Sequence, residues 1–350
     1  MSENRERCDV GLKKQQGIQS VKFEEPPIIC AAASVVGQKE GDGPFGDVFD
    51  QIESDPKVGG DTWEDAEGRL QERAAELAIQ KAGCGKEAIR YIVAGDLLGQ
   101  LMASSFGLAG FDKPLFGVYG ACSTMGESIG IGSMLVEGGF ADYVLAMTSS
   151  HFASAEKQFR FPLGYANQRP KASTWTVTGS GAVVICKGDQ KQGMAKITGI
   201  TTGKIVDYGV KDTMNMGACM APAAASVVAA HFKDFGTDPS EYDQIITGDL
   251  GMVGKDILID ILRSEGYDIA DRYIDCGIEI YGRDAQAQAG GSGCSAVMLA
   301  GYVLKQLEIG EWKRVLFVPT GALLSVVSFN EGNSIPGIAH AVRLETLISN

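Results

Sequence analysis

Histidine is scarce in this chain of 350 residues, which contains only three. The eight cysteines are scattered, and no two of them form a Cys-x-x-Cys pattern. The closely spaced cysteines and histidines of a structural zinc site are therefore missing. We expect no metal site, and we expect the cysteines to be reduced thiols, as is usual in a cytosolic type of environment.

Long apolar runs are also missing. No segment reaches the roughly 20 apolar residues that a membrane-spanning helix needs, and Met1–Arg7 is polar, without the apolar core of a signal peptide. We therefore expect neither a signal nor a transmembrane segment, so that any membrane association would be peripheral. Basic residues are in the minority, because 31 Lys and Arg stand against 44 Asp and Glu and give a formal net charge of −13. This balance argues against nucleic acid as the main partner.

What the sequence does contain is a distinctive stretch from Val118 to Thr148. It predicts a tight turn, a buried helix that begins near Ser123 and stops at Gly138, and a buried strand. The side chains of Ser123 and Thr124 are predicted to cap the helix N-terminus. Cys122 directly precedes this helix, where unpaired N–H groups and the helix dipole favour a thiolate and can hold an anion. A functional thiol and a small buried core residue are equally good interpretations of Cys122 on position alone.

Several short patterns occur twice along the chain, in the same order. They are Gly95-Asp96-Leu97 and Gly248-Asp249-Leu250, the small-residue helices at Cys122 and Cys294 with the strands after them, and the glycine turns that lead into strands at 179–185 and 337–344. The repeats predict two halves, residues 18–190 and 191–350, after a flexible polar arm, residues 1–17. Two buried helices at equivalent positions predict an α/β fold of five layers, αβαβα, in which two sheets enclose a central helix pair.

Motifs that point to a known family extend from about residue 18 to the end of the chain. They are Asp42–Gly46, Ala94–Leu98, Phe116–Ser128, Thr148–His151, Gln158–Pro162, Thr176–Val184, Met216–Ala223, Thr247–Leu250, Ala289–Cys294 and Thr320–Ser325. On these motifs the chain resembles the stage V sporulation protein AD family of spore-forming bacteria, within the thiolase and ketoacyl-synthase superfamily. The resemblance implies the thiolase-like form of the five-layer fold.

The same resemblance places Cys122 at the nucleophile position of a condensing enzyme or thiolase. In ketoacyl synthases the loop after the matching second-half strand carries a histidine, and here Asp249 stands in its place. The segment that would supply an asparagine or a second histidine, 289–294, contains neither. A buried carboxylate raises the pKa of a neighbouring thiol, so we expect no condensation by the usual machinery.

A binding pocket is nevertheless expected where the two helix starts, at Ser123 and Ser295, face one cleft and offer backbone N–H groups to an anion. Leu97, Met125 and Leu323 are predicted to flank a flat ring. The predicted ligand-binding residues are Cys122, Ser123, His151, Arg160, Asp249, Gly291, Ser292 and Ser295. Of the other histidines, His231 is predicted to lie at the surface or edge of a helix and His340 in the core.

Three functions stay open. By resemblance, the first is non-catalytic binding of dipicolinic acid, a planar pyridine with two carboxylates, in the system that moves it with its calcium into the spore. That function implies integral membrane partners, a peripheral location on the forespore or spore inner membrane, and a homodimer in which the strand at 143–147 extends a sheet across the interface. No cofactor is implied, and no Asp-rich calcium loop is present. The second is an acyltransferase whose Cys122 accepts an acyl group, and the third is a scaffold with an inactive pocket.

Overall fold

The computed structural model describes residues 14–158, 169–188, 193–283, 285 and 287–348 of the chain. Its strands are β1 (Gln15–Gln16), β2 (Ser20–Lys22), β3 (Ile28–Gly37), β4 (Gln51–Glu53), β5 (Ile89–Gly95), β6 (Leu115–Gly117), β7 (Tyr143–Ser150), β8 (Thr174–Thr176), β9 (Gly179–Cys186), β10 (Ala195–Thr201), β11 (Gln244–Thr247), β12 (Tyr273–Asp275), β13 (Gln288–Gly290), β14 (Arg314–Val318), β15 (Thr320–Ala322), β16 (Gly337–Ala339) and β17 (Ala341–Glu345). Its α-helices are α1 (Gln38–Gly41), α2 (Trp63–Ala82), α3 (Gly85–Ala88), α4 (Met102–Gly107), α5 (Thr124–Glu137), α6 (Phe152–Glu156), α7 (Met216–Phe235), α8 (Gly251–Ser264), α9 (Cys276–Tyr281), α10 (Ser292–Met298), α11 (Leu304–Glu308) and α12 (Val326–Asn330).

Two sets of five strands repeat one topology. The order across the first set is β3-β9-β7-β5-β6, and the order across the second is β10-β17-β14-β11-β12. In each set the last strand in the chain, β9 or β17, runs antiparallel to both neighbours, while the remaining pairs are parallel. The sets join edge to edge where β3 and β10 pair through Ile28 and Ile29. The shared topology confirms the duplicated halves.

The alternation of apolar side chains along the strands produces three apolar cores and hence five layers. Val144 of β7 and Val315 of β14 face the central core, together with side chains of α5 and α10. Leu145 faces outward to a core that it shares with α2. Leu316 likewise faces outward, to a core formed with α7 and α8. The predicted αβαβα arrangement is therefore confirmed, with α5 and α10 as the central layer.

Small residues bring this central layer very close to the strands. A Cβ atom added to Gly181 of β9 would lie 2.3 Å from the backbone oxygen of Ala296 in α10. In α5, a Cβ atom at Gly126 would lie 3.1 Å from the backbone oxygen of His340, whereas one at Gly130 would be 3.6 Å from its nearest neighbour, Ile200. The glycine and serine content of these helices therefore serves close packing, which outweighs its cost in helix propensity.

The strand that was expected to extend a sheet across a dimer interface cannot do so. β7 lies inside the first set and is hydrogen-bonded to β5 on one side and to β9 on the other. The outer strand of this set is β6, where Leu115 and Phe116 are 40% and 45% exposed. An apolar strand sequence shows burial but does not distinguish an interior strand from an edge strand, which is why that prediction was wrong.

The N-terminal end of the described chain is paired with the body of the protein. β1 pairs with β2, and β2 pairs with β10 of the second set. The side chain of Lys14 forms an ion pair with Glu137 at the end of α5. Within the part of the chain that the structure covers, no helix is both long enough and apolar enough to cross a membrane.

The contact between β9 and α10 is tested by Gly181→Ala. Because the new methyl group would collide with backbone atoms, which cannot turn aside, we expect a loss of about 1–3 kcal/mol in the free energy of unfolding. Gly130→Ala is the matched control, since its methyl group has room and a helix gains up to about 1 kcal/mol from this exchange. Urea unfolding of both variants measures the difference. A Gly181→Ala variant as stable as the wild type would contradict the close approach of the two elements.

Candidate functional site

Cys122 lies in a strained turn that leads into α5. Ala121 has a positive φ of 50°, a conformation that costs a non-glycine residue of the order of 1–2 kcal/mol. The Ser123 hydroxyl donates to the oxygen of Gly120 at 2.7 Å, and the Thr124 hydroxyl donates to the oxygen of Ala121 at 2.7 Å. Both side chains therefore stabilise the turn. Neither caps the helix, so the predicted capping was wrong.

A backbone contact from the second half holds the turn from the other side. A Cβ atom at Gly321 of β15 would lie 2.1 Å from the oxygen of Gly120 and 3.3 Å from the nitrogen of Cys122. Only a residue without a side chain can lie against this turn. The thiol is thus fixed between the two halves of the molecule.

Asp249 and Gly291 line one cavity with Cys122, and for Asp249 the family resemblance implied this position. The backbone N–H of Gly291 donates to Oδ2 of Asp249 at 2.9 Å, and the hydroxyl of Thr320 donates to Oδ1 at 3.1 Å. The thiol of Cys122 lines the same cavity as this carboxyl group, and each group shifts the pKa of the other. Asp249 therefore links the start of α5, the start of α10 and β15 in one polar cluster.

Burial sets the protonation of this cluster. It raises the pKa of Asp249 from 3.8 to about 7, although hydrogen bonds from Gly291 and Cys122 oppose the shift. Burial also raises the pKa of Cys122 well above its ordinary value, and the charge of Asp249 raises it further. The helix N-terminus alone favoured a thiolate, but desolvation and the carboxyl group outweigh it. Cys122 is therefore a neutral thiol at neutral pH.

A cavity of about 70 Å³ opens in front of Cys122. Its lining combines polar groups with apolar walls, and Asp249 is the one carboxylate among the described lining residues, which include no Lys, Arg or His. The lining residues are Leu97, Tyr119, Ala121, Cys122, Ala155, Gln158, Thr174, Thr176, Met216, Asp249, Gly291, Ala322, Leu324, Ser325 and Val326. Of the predicted apolar walls only Leu97 lines the cavity, since Met125 is fully buried in the core and Leu324 lines it in place of Leu323.

The predicted ligand-binding serines lie behind the cavity wall and are fully buried. Ser123 bonds to its own turn, as described above. The hydroxyl of Ser292 donates to the backbone oxygen of Ser149 on β7. The buried hydroxyl of Ser295 has no hydrogen-bond partner among the described residues. The two helix starts do converge on one cavity, but residues at Cys122 and Gly291 line it rather than these serines.

His151 is also placed away from the cavity lining. Its Nδ1 accepts from the N–H of Ala153 and caps α6, while its Nε2 is 2.8 Å from the oxygen of Pro56. Burial lowers the pKa of His151, so the ring is neutral and both nitrogens are in use. Arg160, the other predicted positive group, lies outside the described residues.

The remaining histidines are structural. His231 is fully buried, with Nδ1 and Nε2 each 2.7 Å from a hydroxyl, of Thr201 and Tyr242 respectively. It was predicted to lie at the surface, and this was wrong because α7 is covered on the His231 side by β10 and by the loop that carries Tyr242. His340 is buried, as predicted, and burial lowers its pKa to about 4.

One wall of the cavity was missed by sequence reasoning. Thr174 and Thr176 belong to β8, which pairs in parallel with β13 just before Gly291. Glu156 holds this wall in place, since it accepts from the N–H of Thr176 at 2.9 Å and forms a fully desolvated ion pair with Arg169. Pairing between segments more than 100 residues apart leaves no local pattern, so no spacing in the sequence could have indicated it.

Comparison with known proteins gives a close sequence match. The profile of the family described as stage V sporulation protein AD (SpoVAD) matches residues 17–345. Stage V sporulation protein AD of Bacillus subtilis strain 168 is 44% identical over 334 residues, which cover 95% of this chain and 98% of that protein.

Solved structures with the same fold are more distant in sequence. The 3-oxoacyl-[acyl-carrier-protein] synthase III from Aquifex aeolicus has a TM-score of 0.57 at 14% identity, covering 91% of this chain and 99% of its own. Human mitochondrial 3-ketoacyl-CoA thiolase has a TM-score of 0.58 at 14% identity, covering 92% and 99%. At such identities the likeness establishes the fold alone, and that fold is thiolase-like.

The buried Asp249 carboxyl makes stability depend on pH. Because its pKa is about 7 when folded and near 3.8 when unfolded, the folded state binds more protons between these values, and stability falls as the pH rises through this range. Asp249→Asn supplies a neutral side chain of the same shape. Relative to wild type, we expect the free energy of unfolding of Asp249→Asn to increase by up to about 1.4 kcal/mol for each pH unit between about pH 4 and pH 7.

Urea unfolding of both proteins at several pH values measures this difference. The exposed carboxylate of Asp256 in α8 provides the control, and Asp256→Asn should leave the pH dependence unchanged. Other buried carboxyls with raised pKa values, such as Glu67, are present in all three proteins, so their contribution to the pH dependence of stability is the same in each. Parallel stability curves for Asp249→Asn and wild type would show that Asp249 is ionised throughout.

Proposed function

The chain belongs to the stage V sporulation protein AD family and has a role in sporulation, and we propose that it is a non-catalytic protein that binds dipicolinic acid in the cavity before Cys122. The observation that carries the proposal is the buried Asp249 carboxyl, which accepts from Gly291 and Thr320 and lines the cavity together with Cys122. It occupies the place where a condensing enzyme needs an activated nucleophile beside a base.

The absence of catalysis follows from protonation. A thiolate is the nucleophile in acyl transfer, and Asp249 together with burial holds Cys122 as a thiol. Asp249 stands where the resemblance places a histidine, but both of its oxygens already accept hydrogen bonds, from Gly291 and Thr320. Among the described lining residues there is no histidine or lysine to take the thiol proton.

A flat dicarboxylate suits the lining better than an acyl chain. The hydroxyls of Thr174, Thr176 and Ser325 can donate to carboxylates, and the partial positive charge at the start of α5 favours an anion. Leu97 and Leu324 provide apolar faces for the pyridine ring. The cavity is smaller than the 300–1,000 Å³ usual for ligand sites, so we expect α12, none of whose residues is buried, to move outward on binding.

The proposal includes the transport context that the family resemblance implies. The ligand would arrive with its calcium, and the protein would dock peripherally on integral membrane proteins of the same system at the forespore or spore inner membrane. The protein would act as a homodimer. Its exposed edge strand β6, with Leu115 and Phe116, is the part of the first sheet that a second copy could extend.

Isothermal calorimetry with dipicolinic acid tests the binding function. Because an ionised Asp249 repels a dianionic ligand, we expect saturable binding by wild type that weakens above about pH 7, by up to about tenfold per pH unit. Asp249→Asn should bind more tightly at about pH 8 and lose this dependence, while Asp256→Asn should behave as wild type. Cys122→Ala should weaken binding by removing the cavity floor.

Acetyl-CoA is titrated in parallel, with mass spectrometry of the Cys122 peptide. The absence of dipicolinate binding together with acetylation of Cys122 would support the acyltransferase alternative. The absence of both would leave the scaffold function.

Dimer formation through β6 is tested by Phe116→Lys. A charged side chain on an edge strand opposes pairing with another strand, so we expect wild type to have the mass of a dimer and the variant that of a monomer in size exclusion with light scattering. Phe106→Lys is the control, since Phe106 is 76% exposed in α4 and lies outside β6. An unchanged mass for Phe116→Lys would place any dimer contact elsewhere.

A further inference from the structure

Two cysteines far from the cavity lie next to each other on neighbouring strands. β3 and β9 run antiparallel, with Ile28 opposite Cys186 and Ile29 opposite Ile185. The register shifts between Ile29 and Ala31, so Cys30 is the extra residue of a β-bulge. Because of the bulge, the side chain of Cys30 packs against the core shared with α2, to which Val184 also belongs. Cys186 follows Val184 by two residues on β9, and alternation along a strand therefore places it on the same face.

The contacts of the two sulfur atoms confirm that they are neighbours. The Cys30 thiol donates to the backbone oxygen of Val184 at 3.3 Å, two residues before Cys186 on β9, and Cys186 is the neighbour that most lowers its pKa. Neither sulfur is in a disulfide bond. Cys30 is partly exposed, whereas Cys186 is fully buried. A reagent in solvent can therefore contact the Cys30 thiol directly, whereas the Cys186 thiol can react only with Cys30.

A redox pair needs one accessible thiol that forms a thiolate readily, and Cys30 is that thiol here. The hydrogen bond from Cys186 lowers the pKa of Cys30, which increases its thiolate fraction at neutral pH. Burial raises the pKa values of Cys122, Cys276 and Cys294 instead. Among the cysteines that the structure describes, Cys30 is thus the thiol that an oxidant should find first.

We propose that Cys30 and Cys186 form a redox-sensitive pair that closes to a disulfide on exposure to a peroxide. The Cys30 thiolate attacks one peroxide oxygen, giving a sulfenic acid and, from hydrogen peroxide, one water. The Cys186 sulfur then attacks the sulfenic sulfur, forms the S–S bond and releases the oxygen as a second water. Two electrons pass from the two thiols to the peroxide, and a small thiol reverses the step by disulfide exchange.

The position of the pair gives the bond a structural effect. Ile28 and Ile29, directly before Cys30, carry the pairing between β3 and β10 that joins the two halves. Cys186 is the last residue of β9, after which the chain crosses to the second half. A disulfide here would fix β3 to β9 at the junction and restrict the unfolded chain over a long loop, which stabilises the folded state.

A metal site is the other chemistry that neighbouring thiols could serve. Cys84 at the end of α2 is close enough to Cys30 for the two to affect each other's charge. Within the described residues, however, no group of three or more His, Cys, Asp or Glu side chains is arranged to hold a metal ion. Cys84 is therefore a competing thiol, and the experiment must distinguish it from Cys186.

The test uses the full chain, treated with hydrogen peroxide, alkylated, and digested without reduction for mass spectrometry. We expect a cross-linked peptide pair containing Cys30 and Cys186 in wild type and in Cys84→Ser, and its return to two free thiols after dithiothreitol. In Cys186→Ala the sulfenic acid at Cys30 has no partner and should be trapped by dimedone. Oxidised wild type should unfold at a higher temperature than reduced wild type, and Cys186→Ala should show no such difference.

Two results would overturn the proposal. One is a disulfide between Cys30 and Cys84, or over-oxidation of Cys30 while Cys186 stays a thiol. The other is a Cys30 that stays unmodified under conditions in which Cys84, the partly exposed internal standard, is oxidised. Because the assay follows sulfur chemistry alone, its outcome is independent of dipicolinate binding.

Discussion

The thin central layer is the constraint on which the rest of this molecule depends. Two sheets can enclose α5 and α10 only if backbone meets backbone at several points, as it does where Gly181 lies against Ala296 and where Gly321 lies against the turn at Gly120. Protein interiors leave little free volume, so these contacts fix the two halves in one relative position. That position brings the residues before α5 and before α10 to one cavity.

The chemistry of the site follows from this enclosure. An aspartate on an open surface would be ionised at neutral pH, but Asp249 is desolvated and lies near Asp275, so its pKa rises to about 7. The hydrogen bonds from Gly291 and Thr320 keep it from rising further. A group poised in this way gains or loses a proton when the charge in the cavity changes.

The sequence allowed the fold to be predicted, because it depends on repeated local patterns. The two Gly-Asp-Leu motifs and the two small-residue helices indicated the halves, whereas the position of Asp249 near Cys122 came from the family resemblance. The predictions that failed depend on the direction in which single hydroxyl groups turn and on contacts between distant segments. The hydroxyls of Ser123 and Thr124 turn back to their own loop, and Thr174 and Thr176 reach the cavity through pairing with β13.

Cys122 and Cys30 show that the surroundings of a thiol determine its pKa more than its position in the fold does. Cys122 lies in a strained turn at a helix start, yet burial and Asp249 keep it protonated. Cys30 lies in an ordinary sheet, yet a β-bulge turns it toward Cys186, which lowers its pKa. If nucleophilicity follows the thiolate fraction, Cys30 is the more reactive of these two sulfurs, although Cys122 is the one that lies at a helix start.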